Sequence, residues 1–233
     1  MRKGERNMRN QTIERITVCK IIAVVRGVKG ERLIPMAEAL RLGGIDCIEI
    51  TFDPRGDQSD KDVAAQLAML SERFGDKLCI GSGTTRTAEQ VRLAAAAGAQ
   101  YIVSPSTIPD VIRAAREKDL VSIPGAFTPT EIDAAYRLGG DIVKLFPASF
   151  LGTEYLDQLR GPLGHIPLMA NGGINVWNMR AFLDAGCIGV GIGRNLTAEV
   201  YKKDCSFGVL TEMAKAFRAI ADNEREARNR DLK

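Results

Sequence analysis

Residues 130–147 read TEIDAAYRLGGDIVKLFP and contain the unit from which the fold is built. The first half has the apolar spacing of a helix, which we predict over Thr130 to Leu138. The second half, Asp141 to Phe146, is a short apolar run typical of a buried parallel strand. Gly139 and Gly140 join the two, and glycine suits a helix end where the chain turns sharply into a strand. The stretch therefore predicts a helix, a tight turn and a strand.

The same unit recurs along nearly the whole chain. Small-residue turns at Gly43-Gly44, Ala97-Gly98 and Ala185-Gly186 precede other apolar runs in the same way. Helical spacing fills the segments between runs, as in Val176 to Ala185, a predicted helix that carries Trp177. Eight runs are predicted to be strands: Ile21 to Arg26, Asp46 to Phe52, Leu78 to Gly83, Tyr101 to Ser104, Val121 to Pro124, Asp141 to Phe146, Pro167 to Asn171 and Ile188 to Ile192.

Eight such units of about 25 to 30 residues each are what a closed parallel barrel requires. The alternative is an open doubly wound sheet, which should carry a glycine-rich fingerprint after its first strand. The chain reads VRGV there, at residues 25–28, and lacks that fingerprint. We therefore predict an α/β fold, a (β/α)8 TIM barrel, formed by a single domain over residues 1–233. Residues before about Cys19 are expected to form an additional N-terminal helix that caps the bottom of the barrel.

Composition excludes several classes of protein. The 32 Lys and Arg residues against 29 Asp and Glu give a net charge of +3, and they are scattered, so nucleic-acid binding is not expected. The single histidine, His165, excludes any mechanism or metal site that needs two histidines, and it removes most nucleophilic triads based on histidine. The five cysteines form no close-spaced pair, which favours a reducing, cytoplasmic setting. No apolar stretch approaches a signal peptide or a membrane span, so neither export nor a membrane partner is expected.

Lys144 and Glu49 are the candidate catalytic residues. Side chains alternate along a strand, so if Val143 and Leu145 face the helices, Lys144 points into the barrel. The same alternation directs Glu49 and Thr51 toward the barrel axis. Loss of hydration lowers the pKa of a buried lysine and raises that of a buried acid, as a Schiff-base mechanism requires. The alternative is that the two residues form only a structural ion pair in the barrel core.

Candidate binding groups also lie at the ends of the predicted strands. The loops NGGIN (171–175) and GIGRN (191–195) follow strands seven and eight, where such barrels commonly bind phosphate. In the alternative interpretation their glycines only permit tight turns. Arg194 adds a cation to the second loop. Arg26 ends the first strand and is the best candidate to bind a carboxylate through two hydrogen bonds.

An ordered set of motifs between Ile21 and Leu196 carries a resemblance to a known family. The motifs are IAVVRG, IEITF, GSGT, VSPS, IPGAFTPTE, VKLFPAS, NGGIN and GIG. Their order resembles the bacterial 2-keto-3-deoxy-6-phosphogluconate aldolase family, which includes 4-hydroxy-2-oxoglutarate and 2-keto-3-deoxy-6-phosphogalactonate aldolases. The resemblance implies a class I aldolase barrel that assembles as a homotrimer and needs no metal or other cofactor.

The resemblance also implies roles for individual residues. Lys144 matches the Schiff-base lysine and Glu49 the general acid/base. The positions that match the pyruvate end of the pocket are Arg26, Thr84, Pro105 and Phe146. The positions that match its phosphate end are Gly172, Gly173 and Gly193.

Three positions depart from the phosphogluconate pattern, and all three bear on substrate choice. Asp53 stands where that branch generally has an arginine, with Arg55 close by. Asn171 stands where threonine is frequent, and Arg194 where a serine commonly binds phosphate. The sequence leaves open the sugar acid, its stereochemistry at C4 and its phosphorylation.

The expected activity is reversible cleavage of a 2-keto-3-deoxy sugar acid, phosphorylated at its far end, to pyruvate and an aldehyde such as glyceraldehyde 3-phosphate. One alternative is another phosphate-binding barrel enzyme, either an isomerase or a transferase like thiamine-phosphate synthase. A second alternative is a noncatalytic barrel that binds a sugar phosphate.

Overall fold

Short parallel strands pair side by side throughout the sheet. The computed structural model describes residues 8–28 and 30–230. Its strands are β1 (Ile21–Val25), β2 (Cys47–Thr51), β3 (Cys79–Gly83), β4 (Tyr101–Val103), β5 (Val121–Ile123), β6 (Gly125–Ala126), β7 (Val143–Leu145), β8 (Leu168–Asn171) and β9 (Gly189–Ile192). They pair in the order β5-β4-β3-β2-β1-β9-β8-β7-β6. Each of the eight predicted strands is present, with ends that differ by at most two residues.

The sheet closes on itself because β5 and β6 are two pieces of one barrel strand. They lie at opposite ends of the strand order, yet Pro124 alone separates them in the sequence. The proline ring has no N–H to donate to a ladder, so the strand is interrupted there. Across the seam, Lys144 N–H donates to the Pro124 carbonyl and Asp141 N–H to the Ser122 carbonyl, each at 2.9 Å. The predicted (β/α)8 barrel is confirmed, with its fifth strand broken rather than continuous.

Helices connect successive strands and cover the outside of the barrel. They are α1 (Met8–Cys19), α2 (Leu33–Leu42), α3 (Asp60–Phe74), α4 (Ala88–Ala96), α5 (Pro109–Glu117), α6 (Pro129–Arg137), α7 (Gly152–Leu163), α8 (Met179–Asp184), α9 (Arg194–Thr197) and α10 (Phe207–Arg230). None of the helices in the described part of the chain combines the length and hydrophobicity needed to span a bilayer.

The ends of α6 show why residues 130–147 fold as a helix, a turn and a strand. Thr128 accepts the Glu131 N–H, and the Glu131 carboxylate accepts the Thr128 N–H, which together form a capping box. Gly139 then turns the chain with a φ of +104°, a left-handed conformation that other residues rarely adopt. The predicted turn glycines Gly98 and Gly186 are left-handed as well.

Helix α8 begins at Met179, three residues later than the predicted start at Val176. The Asn175 side chain accepts the N–H groups of Trp177 and Asn178 at 2.9 and 3.2 Å, so a side-chain turn takes the place of the first helical turn. The prediction that Trp177 lies on a helix was therefore wrong. It lies in this turn and is 88% exposed.

Helix α1 lies across the amino ends of the strands, as expected for a capping helix. It contacts β1, β2, β3, β5 and β9. Arg9 forms an ion pair with Asp141, and Arg15 donates from Nε to Asp46 at 2.9 Å. These pairs tie the helix to the residues just before β7 and β2, and the helix closes this end of the barrel. The rest of the predicted cap, residues 1–7, lies outside the described residues.

Candidate active site

Lys144 lies in the middle of β7 and points into a cavity at the carboxyl ends of the strands. Its neighbours Val143 and Leu145 are fully buried, and Lys144 itself is 8% exposed. Its Nζ lies 4.9 Å from the centre of the Phe146 ring. The strand alternation expected from the sequence therefore places the amine inside the cavity.

Glu49 lies on β2 and reaches the same cavity from its other side. It is 1% exposed, and its Oε2 has no hydrogen-bond partner among the described residues. The neighbouring strand makes room for the carboxylate with a glycine. A Cβ on Gly83 would lie 1.9 Å from Glu49 Oε1, so no larger residue fits there without moving the acid.

Burial moves the pKa values of the two groups toward each other. The pKa of Glu49 is raised, mainly by burial, although the charges of Lys144 and Arg26 oppose the shift. The pKa of Lys144 is lowered, again mainly by burial; Glu49 opposes the shift and Arg26 adds to it. Each charged form is therefore less favoured than in water. This arrangement supplies an amine that can lose its proton and an acid that can hold one.

The cavity has a volume of about 450 Å³ and includes every site residue predicted from the sequence. These residues are Lys144, Glu49, Arg26, Thr84, Pro105, Phe146, Gly172, Gly173, Gly193 and Arg194. They lie on or just after seven strands, β1 to β4 and β7 to β9.

One end of the cavity carries a fixed cation. Arg26 follows β1 and donates from Nη2 to the Thr84 hydroxyl at 2.9 Å. Thr84 follows β3 with a φ of +53°, an uncommon left-handed conformation for this residue type. Its hydroxyl holds the guanidinium beside the cavity that Lys144 enters, where a small carboxylate could bind.

The other end is built from backbone. Gly172 and Gly173 are both left-handed, with φ values of +88° and +75°. A Cβ on Gly173 would lie 2.0 Å from Ser149 Oγ, and one on Gly172 would lie 3.1 Å from the Phe146 ring. Glycine is thus required here for both conformation and space, which agrees with the interpretation of this loop as a tight turn. The loop also borders the cavity, where exposed N–H groups can bind an anion.

Comparison with known proteins shows which family the chain resembles. The chain matches the family described as "Aldolase: KDPG and KHG aldolase" over residues 12–207. It is 34% identical over 182 residues to the 2-dehydro-3-deoxy-6-phosphogalactonate aldolase of Escherichia coli K12, covering 77% of this chain and 85% of that protein.

The chain belongs to the KDPG and KHG aldolase family. Among solved structures, the native KDPGal structure has a TM-score of 0.77 at 30% identity and covers 88% of this chain and 96% of that chain. A KDPG aldolase from Legionella pneumophila, with pyruvate captured at low pH as a covalent carbinolamine intermediate, has a TM-score of 0.77 at 28% identity. That match covers 86% of this chain and 95% of that chain. The chain is a class I aldolase, a lyase that forms pyruvate and an aldehyde.

Asn171 is a further residue of the cavity, although the sequence predicted it only as part of a glycine loop and as a departure from the family pattern. It ends β8, is 4% exposed, and its Oδ1 has no partner among the described residues. A Cβ on Gly191 would lie 1.8 Å from Asn171 Nδ2, so the amide, like Glu49, occupies space left by a neighbouring glycine. The available signal was a polar residue at the end of an apolar strand.

Asp53, at a position where the resemblance leads us to expect an arginine, is not among the residues that line the cavity containing Lys144. Its carboxylate accepts the N–H groups of Arg55 and Gln58 at 3.0 and 3.2 Å, and such bonds hold its pKa below the usual range. Asp53 therefore stabilises its own loop. The loop borders an adjoining outer cavity of about 880 Å³, which Arg194 also lines, with its guanidinium 5.9 Å from the centre of the Tyr201 ring.

Proposed function

We propose that this aldolase reversibly cleaves a 2-keto-3-deoxy sugar acid, phosphorylated at its far end, to pyruvate and an aldehyde such as glyceraldehyde 3-phosphate. The observation that carries the proposal is the placement of Lys144 and Glu49 in one cavity that is also lined by a cation, Arg26, and a glycine loop. A structural ion pair would not need an adjoining space for a small molecule.

Lys144 is the nucleophile in this proposal. Its lowered pKa leaves more of the neutral amine near neutral pH, and Nζ adds to the C2 ketone. The ketone oxygen leaves as water, and a protonated imine forms between C2 and Nζ. When the C3–C4 bond breaks, its electron pair moves toward the imine nitrogen and an enamine results.

Glu49 moves the protons. Its carboxylate takes the proton of the C4 hydroxyl as the aldehyde forms, either directly or through a water molecule. The acid, whose pKa is raised by burial, then returns a proton to C3 of the enamine. Hydrolysis of the resulting imine releases pyruvate and regenerates the Lys144 amine.

The two ends of the cavity would orient the substrate. The Arg26 guanidinium, held by Thr84, would bind the C1 carboxylate. The backbone of Gly172, Gly173 and Gly193, with the cation of Arg194, would bind the distal phosphate. Pro105 and Phe146 would pack against the three-carbon part that becomes pyruvate.

The deciding experiment is borohydride trapping with pyruvate, followed by measurement of the intact mass. We expect one reduced pyruvate adduct on the native chain and none on Lys144→Ala. The matched control is Lys118→Ala, which removes an exposed lysine at the end of α5 and should leave the adduct unchanged. An adduct that persists in folded Lys144→Ala would overturn the assignment. Turnover of phosphorylated and unphosphorylated keto acids then tests the distal phosphate.

We also propose that the aldolase is a homotrimer. Phe150 and Trp177 are 85% and 88% exposed, in segments that follow the neighbouring strands β7 and β8. Burial of large apolar side chains in a subunit contact would stabilise an assembly. Light scattering should give three times the mass of the chain, and Trp177→Ser should shift the mass toward that of the monomer. A monomeric native protein would contradict the proposal.

We further propose that the enzyme is one domain over residues 1–233 that acts in the cytoplasm in carbohydrate metabolism. Its five cysteines are all free, in keeping with a reducing compartment. Cell fractionation tests the location. Limited proteolysis tests the domain, since cleavage into two stable folded fragments would contradict it.

A further inference from the structure

Three of the five cysteines gather at the opposite end of the barrel from Lys144. Cys47 and Cys79 begin β2 and β3 and face each other in register, and Cys19 is the last residue of α1. They are 0%, 0% and 5% exposed, and the Cys47 thiol lies beside both of the others. Three thiols from three separate elements therefore meet where the capping helix covers the barrel.

The carboxylate of Asp46 lies beside two of these thiols, those of Cys19 and Cys47. The ligand atoms of Cys19, Asp46 and Cys47 all lie within 4.8 Å of one another. Asp46 Oδ1 lies 3.8 Å from Cys47 Sγ, while Oδ2 accepts from Arg15 Nε at 2.9 Å. Arg15 thus fixes one carboxylate oxygen and leaves the other toward the thiols, as the outer partners of metal ligands commonly do.

The group is also accessible from solvent. A cavity of about 720 Å³ opens at the bottom of the barrel, and Cys19 and Asp46 form part of its wall. Arg15, Arg41, Lys77 and Arg218 line the same cavity. A small cation could therefore reach Cys19 and Asp46 from this side, and the fixed positive charges could offset excess negative charge on the ligands.

We propose that Cys19, Asp46 and Cys47 form a binding site for a soft divalent cation of the zinc class, which fastens α1 to the barrel. Thiolate is the ligand that such cations prefer, and in a reducing compartment clustered cysteines favour metal binding over disulfides. The site is separate from the aldol chemistry, since none of its residues lines the cavity that contains Lys144.

The expected coordination requires only a small contraction. A zinc–sulfur bond of about 2.3 Å places tetrahedral sulfur ligands about 3.8 Å apart, roughly 1 Å closer than the 4.8 Å limit seen here. Each thiol that binds loses its proton to water. Two thiolates and one carboxylate around a divalent cation carry a net charge of −1, which Arg15, bonded to Asp46, would offset.

The first test uses the full-length protein, reduced and freed of metal with a chelator. Titration with Cd²⁺ should give one bound ion per chain and an ultraviolet thiolate-to-metal absorption band. Cys47→Ser should abolish the band, and Cys19→Ser should weaken binding at least tenfold. Cys205→Ser, at a half-buried cysteine outside the group, should bind like the native protein. Absence of stoichiometric binding, or equal loss in Cys205→Ser, would overturn the proposal.

A second test needs no variant and so does not depend on the folding of Cys47→Ser. The native protein is alkylated with and without Zn²⁺, and modification is mapped by peptide mass. We expect Zn²⁺ to slow alkylation of Cys19 at least tenfold and to leave Cys205 unchanged. Equal rates at Cys19 with and without Zn²⁺ would overturn the proposal. Aldolase turnover with and without Zn²⁺ should be the same.

Discussion

Gly83→Ala should inactivate this aldolase although it replaces neither of the proposed catalytic residues, Lys144 and Glu49. The new Cβ would lie 1.9 Å from Glu49 Oε1 and 2.5 Å from its Cδ. Ordinary contact is about 3.5 Å, so the carboxylate must move by about 1.6 Å. A misplacement of about 1 Å at a reacting group can cost about 100-fold in rate, and we expect at least that loss in kcat.

Overpacking should also destabilise the barrel. Added atoms in a packed core cost about 1–3 kcal/mol, or a fall in Tm of about 2–12 °C for a chain of this size. Gly189→Ala is the matched control, because its Cβ would lie 2.8 Å from the Lys20 carbonyl oxygen at the far end of the barrel. It should lower Tm by a similar amount and leave kcat unchanged.

The assay for Gly83→Ala couples pyruvate release to lactate dehydrogenase and runs beside borohydride trapping. Imine formation at Lys144 should largely persist, while turnover is lost, because the displaced group is the proposed proton carrier, Glu49. A Gly83→Ala enzyme with native stability and kcat within threefold of the native value would refute the placement of Glu49 as that carrier.

Three further predictions follow from the charges and hydrogen bonds. The rate of imine trapping should rise with pH, with its midpoint at the lowered pKa of Lys144. Glu49→Gln should move this midpoint to lower pH, because the charge of Glu49 raises the pKa of Lys144. A midpoint that moves to higher pH would contradict this coupling. Arg194→Ser should raise KM for a phosphorylated substrate about tenfold, which corresponds to the free energy of one lost hydrogen bond to a charged group. Steady-state kinetics can measure this change, and trapping of pyruvate should stay unchanged. Thr128→Ala removes the N-cap of α6 and should cost about 1 kcal/mol in urea denaturation with unchanged kcat, whereas an unchanged midpoint would show that Glu131 alone maintains the cap.

The placement of Lys144 and Glu49 in one cavity could be predicted because a strand has a two-residue period. Once the neighbours of Lys144 are assigned to the helical side, the direction of the lysine is fixed, and the same holds for Glu49. Such reasoning needs no knowledge of which strands pair. It also places Asn171 at a strand end, so the omission of that residue from the predicted site came from treating it as part of a glycine loop.

Other features depend on contacts that alternation does not specify. The late start of α8 results from the Asn175 side chain, which competes with the helix for two N–H groups. The meeting of Cys47 with Cys79 depends on the register between β2 and β3, and that of Cys19 with Cys47 depends on where α1 docks. A sequence in which these cysteines are 28 and 32 residues apart contains no local signal of their proximity.

Strand β2 carries one residue of the proposed metal site and one of the proposed catalytic site, at opposite ends. Cys47 and Glu49 are two residues apart on β2 and share a face of the sheet, with Cys47 at the amino end and Glu49 toward the carboxyl end. The fully buried ring of Tyr101 packs against β3 at the level of Glu49, since a Cβ on Gly81 would lie 2.3 Å from it. Because the cysteines lie at the amino ends of the strands and line no part of the Lys144 cavity, substitutions at them should change the anchoring of α1 and leave proton transfer at Glu49 intact.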